Sequence, residues 1–341
     1  MKNLHGLSGG WSHGASAGSS RLVNRHEVCI INALPLTEQE ELTFKEVASG
    51  VQQYFVGDEG LDKDLSSELT DKATVILGNL QVSQVKRCKR IAWMQTASAG
   101  VNNYEVDGVL PETAMITSAS GAYGQEVSEH MFAMMWALMK RLPNYRDQQR
   151  ENIWQDRGPV ATVRGAKVLI VGTGDIGSHF AQLVKAVGGN TIGIRRDVRK
   201  AAPGIDTMFG FKDLDKLLPQ VDVVALVVPS SPDTYHILNR KRLSLIRSHA
   251  IIINAGRGDA VDCQALAEYL AAGSIGAAGL DVTEPEPLPK DHQLWNEPQC
   301  LITPHIAGGY HLPQARTQAI NIALDNVQRY LSGLPLRNRM R

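Results

Sequence analysis

Long apolar runs are missing from this chain. Val223 to Val228 has the length of a β-strand and even the longest, Met131 to Met139, has only nine residues, whereas a membrane-spanning helix needs about 20. No membrane partner is therefore expected. Cysteine is scarce as well: Cys29, Cys88, Cys263 and Cys300 are the only four, and none forms a C-x-x-C pair. Their spacing excludes a disulfide framework and a thiolate metal site, and it suits a reducing, cytoplasmic compartment. Nor is either charge in excess, since 35 Lys plus Arg balance 35 Asp plus Glu. Without a net field there is no electrostatic pull toward nucleic acid or an anionic membrane. Residues 1 to 25 are rich in Gly, Ser and His but lack the apolar core of a signal peptide. They read as a flexible tail, with His5 and His13 solvated rather than bound to metal.

Among the features present, one stretch organises the rest. Lys167-Val168-Leu169-Ile170-Val171 is a strand-like run that breaks into Gly172-Thr173-Gly174-Asp175-Ile176-Gly177, and Ser178 to Val187 continues at helical spacing. In a strand-turn-helix that holds a pyrophosphate, each glycine has a task. Gly172 allows the tight turn, Gly174 lets phosphate approach the backbone, and Gly177 lets the helix pack on the strand. The helix N-terminus then turns free amides and its dipole toward the anion. Taken alone the pattern also admits a methyltransferase-like or flavin site. The next strand-like run, Asn190 to Ile194, ends at Arg195-Arg196, where an NAD site places an acidic residue against the ribose 2′-hydroxyl. Arginine cannot accept that hydrogen bond but pairs with a 2′-phosphate. NADP is therefore expected, with NAD possible if these arginines are only solvated and Asp197 neutralises them.

From Glu27 onward, short apolar strands alternate with helical stretches, which predicts parallel sheets covered on both faces. Strands fall at Val28–Ile31, Val51–Phe55, Ala73–Leu77, Ile91–Met94 and Ala114–Ile116, with a helix near Thr37 to Ser49. Ligands on such sheets gather at the carboxyl ends of strands. Two loops there are Gly78-Asn79 and Thr96 to Val101; the second is either a carboxylate-binding concavity or a plain turn. Glu126 to Leu142 is a helix rich in Met131, Met134, Met135 and Met139, a buried connector or a subunit interface, with Pro143 ending it. A polar segment carrying Trp154 follows. Six more strands near Val168, Thr191, Val223, Ile251, Ala277 and Leu301 complete a doubly wound dinucleotide fold. Leu312 to Leu331 reads as a return helix to the first unit, with substrate in the cleft between the units.

Three further segments put titratable residues on the edge of the glycine turn: Asn254-Ala255-Gly256-Arg257-Gly258, Leu280-Asp281-Val282 through Glu286-Pro287-Leu288-Pro289, and Thr303-Pro304-His305-Ile306-Ala307-Gly308. With the glycine turn and in this order, they closely resemble the D-isomer-specific 2-hydroxyacid dehydrogenases, from Glu27 to the end. The resemblance looks nearest to the NADPH-dependent glyoxylate/hydroxypyruvate reductases. It implies an α/β architecture of two Rossmann-like or flavodoxin-like doubly wound domains with an interdomain active-site cleft. Residues 26–120, completed by 308–341, would form the substrate-binding domain, and 121–307 the NAD(P)-binding Rossmann domain. A homodimer is also implied.

The resemblance assigns Arg257 to the substrate carboxylate and carbonyl, His305 to acid/base catalysis and Glu286 to its support. A planar guanidinium can grip a 2-keto acid through two oxygens. Hydride arriving at C2 creates an alkoxide that needs a proton, and an imidazolium favoured by a neighbouring carboxylate can deliver it. Ser98, Ala99 and Gly100 would offer amides to the substrate carboxylate. Val127, Val228, Pro229, Thr234, Ala255, Gly256, Asp281 and Gly308 would border the cofactor, Asp281 at the carboxamide. The two substrate-side loops hold no Lys or Arg, which argues against a phosphorylated substrate. Two other functions remain compatible with the residues: a nicotinamide-binding corepressor or scaffold, and oxidation of formate or phosphite. Neutral charge and the lack of a DNA-binding helix pair weaken the first, and Glu286 beside His305 weakens the formate version of the second.

Overall fold

The computed structural model describes residues 23–57 and 64–341. Most of the tail expectation, residues 1–22, lies outside the described residues. Its last residues do not behave as a tail: Val23 packs against the first core, and Asn24 caps the short turn Arg25–Glu27.

Five strands form the first sheet: β1 (Cys29–Asn32), β2 (Gln52–Phe55), β3 (Val75–Leu77), β4 (Trp93–Gln95) and β5 (Met115–Thr117). They run parallel in the order β2-β1-β3-β4-β5. The second sheet contains β6 (Lys167–Val171), β7 (Asn190–Ile194), β8 (Thr207–Phe209), β9 (Val223–Leu226), β10 (Ile251–Asn254), β11 (Ala277–Leu280) and β12 (Cys300–Ile302). These are also parallel, in the order β12-β11-β10-β9-β6-β7-β8. Central strands such as β9 and β10 are buried at every position, as continuous β-branched runs covered on both faces require. The chain order reverses on either side of β6, so a crevice opens at the carboxyl end of β6, directly over the glycine turn.

Two expectations need correction. The second sheet has seven strands rather than six, because β8 joins at the edge beside β7. Its three residues are only partly covered, so no apolar run marks it. Pro143 does not terminate the long helix. That helix spans Gly124–Met139, and Arg141 turns the chain through a left-handed conformation (φ 55°). Pro143 then lies in the first turn of a second helix, Leu142–Arg150, where a missing N–H costs nothing.

The methionine-rich face of Gly124–Met139 is core. Met131 and Met135 pack with Val168, Ile170 and Phe180 of the second unit. The return helix Pro313–Leu331 divides its faces. Ala315, Ala319 and Ile322 join that same core, while Ile320, Ala323, Val327 and Leu331 join the first unit's. Tyr330 stacks on Trp93 of β4 with ring centroids 5.0 Å apart. This helix thus fixes the two sheets on either side of the cleft.

Candidate active site

The ends of β4, β10, β11 and β12 deliver the functional groups to the cleft. After β10, Arg257 points its guanidinium into a cavity of about 240 Å³. Burial away from water depresses its pKa, and its Nη1 donates to the Gly256 carbonyl at 2.6 Å. Among the described residues no carboxylate lies within ion-pair distance of it. A part-buried guanidinium that is influenced by Asp259 and Glu286 but paired with neither can still receive an anion. Facing it, the loop after β4 passes Ser98, Ala99 and Gly100 along the same cavity. None of these three amides donates a hydrogen bond to another described residue, whereas the loop's carbonyls and the Ser98 hydroxyl are engaged. These unengaged amides leave the loop able to receive an anion. Glycine at position 100 leaves room for the Arg257 guanidinium, which a Cβ there would displace.

His305 closes the cavity from the other side. Its backbone is left-handed (φ 53°), and its N–H donates to the Asp281 carbonyl at 2.8 Å. The ring Nδ1 lies 2.5 Å from Glu286 Oε1, which leaves Nε2 for the cavity. The loop is held by Asp281, which is almost fully buried. Asp281 Oδ1 accepts from Thr303 Oγ1 at 2.6 Å and from the Ile306 amide at 3.0 Å, and Oδ2 accepts from the Ala307 amide at 3.0 Å. His130 Nε2 adds a contact to Thr303 Oγ1 at 3.0 Å. Asp281 therefore braces the histidine loop while also lining the cavity.

The cavity is continuous with a longer cleft that includes Gly174, Asp175, Ile176, Gly177, Val228 and Pro229. Here the glycine tasks can be checked. Gly172 has φ 99°, and a Cβ on it would press on the Val227 carbonyl. A Cβ on Gly177 would strike the Gly172 carbonyl, so the helix Asp175–Ala186 could not sit so close to β6. Gly174 faces open space, the room that a phosphate needs. The first helical amides beyond it have no intrahelical partners by geometry. The residues present thus fit a dinucleotide pyrophosphate.

A family model described as D-isomer specific 2-hydroxyacid dehydrogenase, NAD binding domain, matches residues 132–307. The chain belongs to this family. Glyoxylate/hydroxypyruvate reductase B of Klebsiella pneumoniae (strain 342) is 30% identical over 276 residues, covering 78% of this chain and 84% of the relative. The crystal structure of a D-isomer specific 2-hydroxyacid dehydrogenase family protein from Aeromonas salmonicida superposes with a TM-score of 0.79 at 28% identity, covering 92% of this chain and 99% of that one. A D-isomer specific 2-hydroxyacid dehydrogenase from Xanthobacter autotrophicus, solved with NADPH and MES, shares the fold with a TM-score of 0.74 at 24% identity, over 92% of this chain and 98% of that one.

For the dehydrogenase fold, most expected cofactor positions meet in one place. Val127, Ile176, Ala255, Asp281 and Gly308 line the inner cavity, and Gly256 lies along the outer cleft. Thr234 lines neither. It is buried and donates to the Pro229 carbonyl at 2.6 Å, so it braces the cleft wall instead of forming it. Arg195 and Arg196 stand apart at the end of β7. Arg195 Nη1 donates to the Lys200 carbonyl at 3.0 Å, and Arg196 Nη2 reaches Asp233 at 3.6 Å. Asp197 pairs with Arg199 at 2.9 Å, the main cause of its lowered pKa, and the charge of Arg195 adds a smaller part.

Two further lining residues act on the loop after β4. Asn79 accepts from the Ala97 amide at 3.0 Å and so shapes the anion loop. Tyr123 donates to the Ala97 carbonyl, and burial raises its pKa far above the usual phenol range. Asn79 stood in a loop already singled out, at the carboxyl end of β3. Tyr123 had only its place ahead of Val127 to mark it.

Proposed function

We propose that the protein reduces a short 2-keto acid to the D-2-hydroxy acid, with NADPH as the hydride donor and NADH as a weaker substitute. One observation carries this reading. A part-buried guanidinium outside ion-pair distance of any described carboxylate, three free amides and an acid-backed imidazole converge on a cavity continuous with the glycine turn. The cofactor, when bound, supplies the hydride. Arg257 and the amides of Ser98, Ala99 and Gly100 hold the substrate carboxylate, and Arg257 also polarises the carbonyl. His305 Nε2 gives its proton to the developing alkoxide, while Glu286 orients the ring through Nδ1 and stabilises its charge. Arg195 and Arg196 supply positive charge at the strand end where a 2′-phosphate lies. The named reductase relatives support this reading, and nothing in the comparisons favours the corepressor.

The division of labour follows the two sheets. Residues 26–120 with 308–341 act as the substrate unit, and 121–307 as the cofactor unit. Four unpaired cysteines, three of them buried, support a reducing cytoplasmic setting. A homodimer completes the reading. Leu142, Ile153, Trp154 and Val160 are all exposed along one stretch of the second unit, and such apolar surface marks an interface.

The deciding experiment is a panel of glyoxylate, hydroxypyruvate, pyruvate and bulkier 2-keto acids with NADPH and NADH, run beside His305→Ala. The expected result is turnover of the short acids, faster with NADPH, and a loss of about 100-fold or more in kcat for the variant. No turnover of any acid, or near-normal turnover by the variant, refutes the assignment.

A further inference from the structure

The dinucleotide cleft is not built by the glycine turn and its neighbours alone. Its lining also includes a residue from the last segment of the chain, Met340, which is carried by the first sheet, whereas Gly174, Asp175 and Pro229 belong to the second. The segment reaches that place because it is strapped along the free edge of β5. The Met340 amide donates to the Ile116 carbonyl at 2.8 Å, and Thr117 and Arg339 form an antiparallel bridge. Asn338 Nδ2 donates to the carbonyls of Ser118 and Ser120 at 3.2 and 2.7 Å, gripping the chain as it leaves the first sheet.

Both ends of the strap are anchored. Upstream, Asn326 of the return helix exchanges hydrogen bonds with the Arg337 backbone, its Oδ1 accepting at 2.8 Å and its Nδ2 donating at 3.1 Å. Downstream, the Arg341 guanidinium donates to the Ala114 and Pro111 carbonyls at 3.2 and 3.0 Å. In an extended segment, successive side chains point to opposite faces. The face that carries Met340 is thus opposed to that of Arg339 and Arg341. Met340 is about half exposed, a large apolar side chain held at the mouth of a cleft by backbone bonds.

We propose that Met340 is part of the cofactor site, covering the dinucleotide near its pyrophosphate from the first sheet's side of the cleft. This rests on the reading of the cleft as a dinucleotide site. Because the strap is already ordered, little conformational entropy is lost when the ligand covers it. A thioether suits the position, since it is apolar, adaptable and brings no charge to the diphosphate. The ligand then touches both units.

Charge at this position provides the test, read as the Kd for NADPH by tryptophan fluorescence or calorimetry with no substrate present. Met340→Asp is expected to weaken binding about tenfold and Met340→Lys to tighten it severalfold, with both effects shrinking as salt is raised. Both side chains are solvated when the ligand is absent, so melting temperatures stay at the parent value and a folding defect is recognised separately. Kd values within twofold of the parent for both variants overturn the assignment of Met340 while leaving the dinucleotide site intact. A parent protein that binds neither NADPH nor NADH overturns the assignment and the proposed function together.

Discussion

Gly100 and Arg257 depend on each other. The guanidinium lies where a side chain at position 100 would begin, and no carboxylate competes for it. A methyl group there would push against the far end of a flexible arginine, so the guanidinium would shift rather than the fold. Gly100→Ala is therefore expected to lower kcat/KM for the keto acid about 100-fold, in line with the cost of a misplaced catalytic group. The melting temperature and the Kd for NADPH should remain close to the parent values. A variant that keeps full kcat/KM would show that the substrate does not use this guanidinium.

Elements were legible from sequence where burial imposes a pattern, and obscure where it does not. β6, β9 and β10 announce themselves as continuous β-branched runs because both faces are covered. β8 has one exposed and two half-covered residues and no such run. Pro143 could stop one helix or start another, and the left-handed Arg141 that decides the matter carries no sequence mark. In the site, Arg257, Glu286 and His305 were readable because each follows a strand within a distinctive motif. Tyr123 and Met340 reach the cleft only through tertiary folding.

The tie between the helix Glu38–Val47 and the return helix belongs to this scale too. Arg316 Nη2 reaches Glu40 Oε2 at 2.6 Å, and its Nε donates to the Pro35 carbonyl at 3.0 Å. Hydrogen bonding from Arg316, with a smaller contribution from the Thr37 cap, holds the Glu40 carboxyl at about 2 against an ordinary 4.5. The folded chain therefore binds this proton less readily than the unfolded chain does. Its stabilisation is complete above about pH 4.5 and drains away as pH falls toward 2. Glu40→Gln preserves the cap but removes the charge. It should cost about 1 kcal/mol near neutrality, with parent and variant stabilities converging below pH 3 in urea titrations. A difference that persists unchanged into acid would exclude the ion pair as its source.

At the scale of the whole molecule, the exposed apolar stretch is the feature that a lone subunit leaves unexplained. Residues 151–162 are exposed throughout, and Trp154 is fully open to solvent although it is the largest apolar side chain type. Leu142, Ile153 and Val160 extend the same surface. A two-fold axis through it would bury the patch against its own copy, the commonest closed arrangement for such proteins. Since Trp154 makes no packing contribution within one subunit, Trp154→Asp leaves the subunit fold unharmed while placing a charge at the centre of the joint. Sedimentation at micromolar concentration should show a dimer for the parent and a monomer for the variant, with superimposable circular dichroism spectra. A parent that sediments as a monomer, or a variant that still pairs, would leave this surface for another purpose.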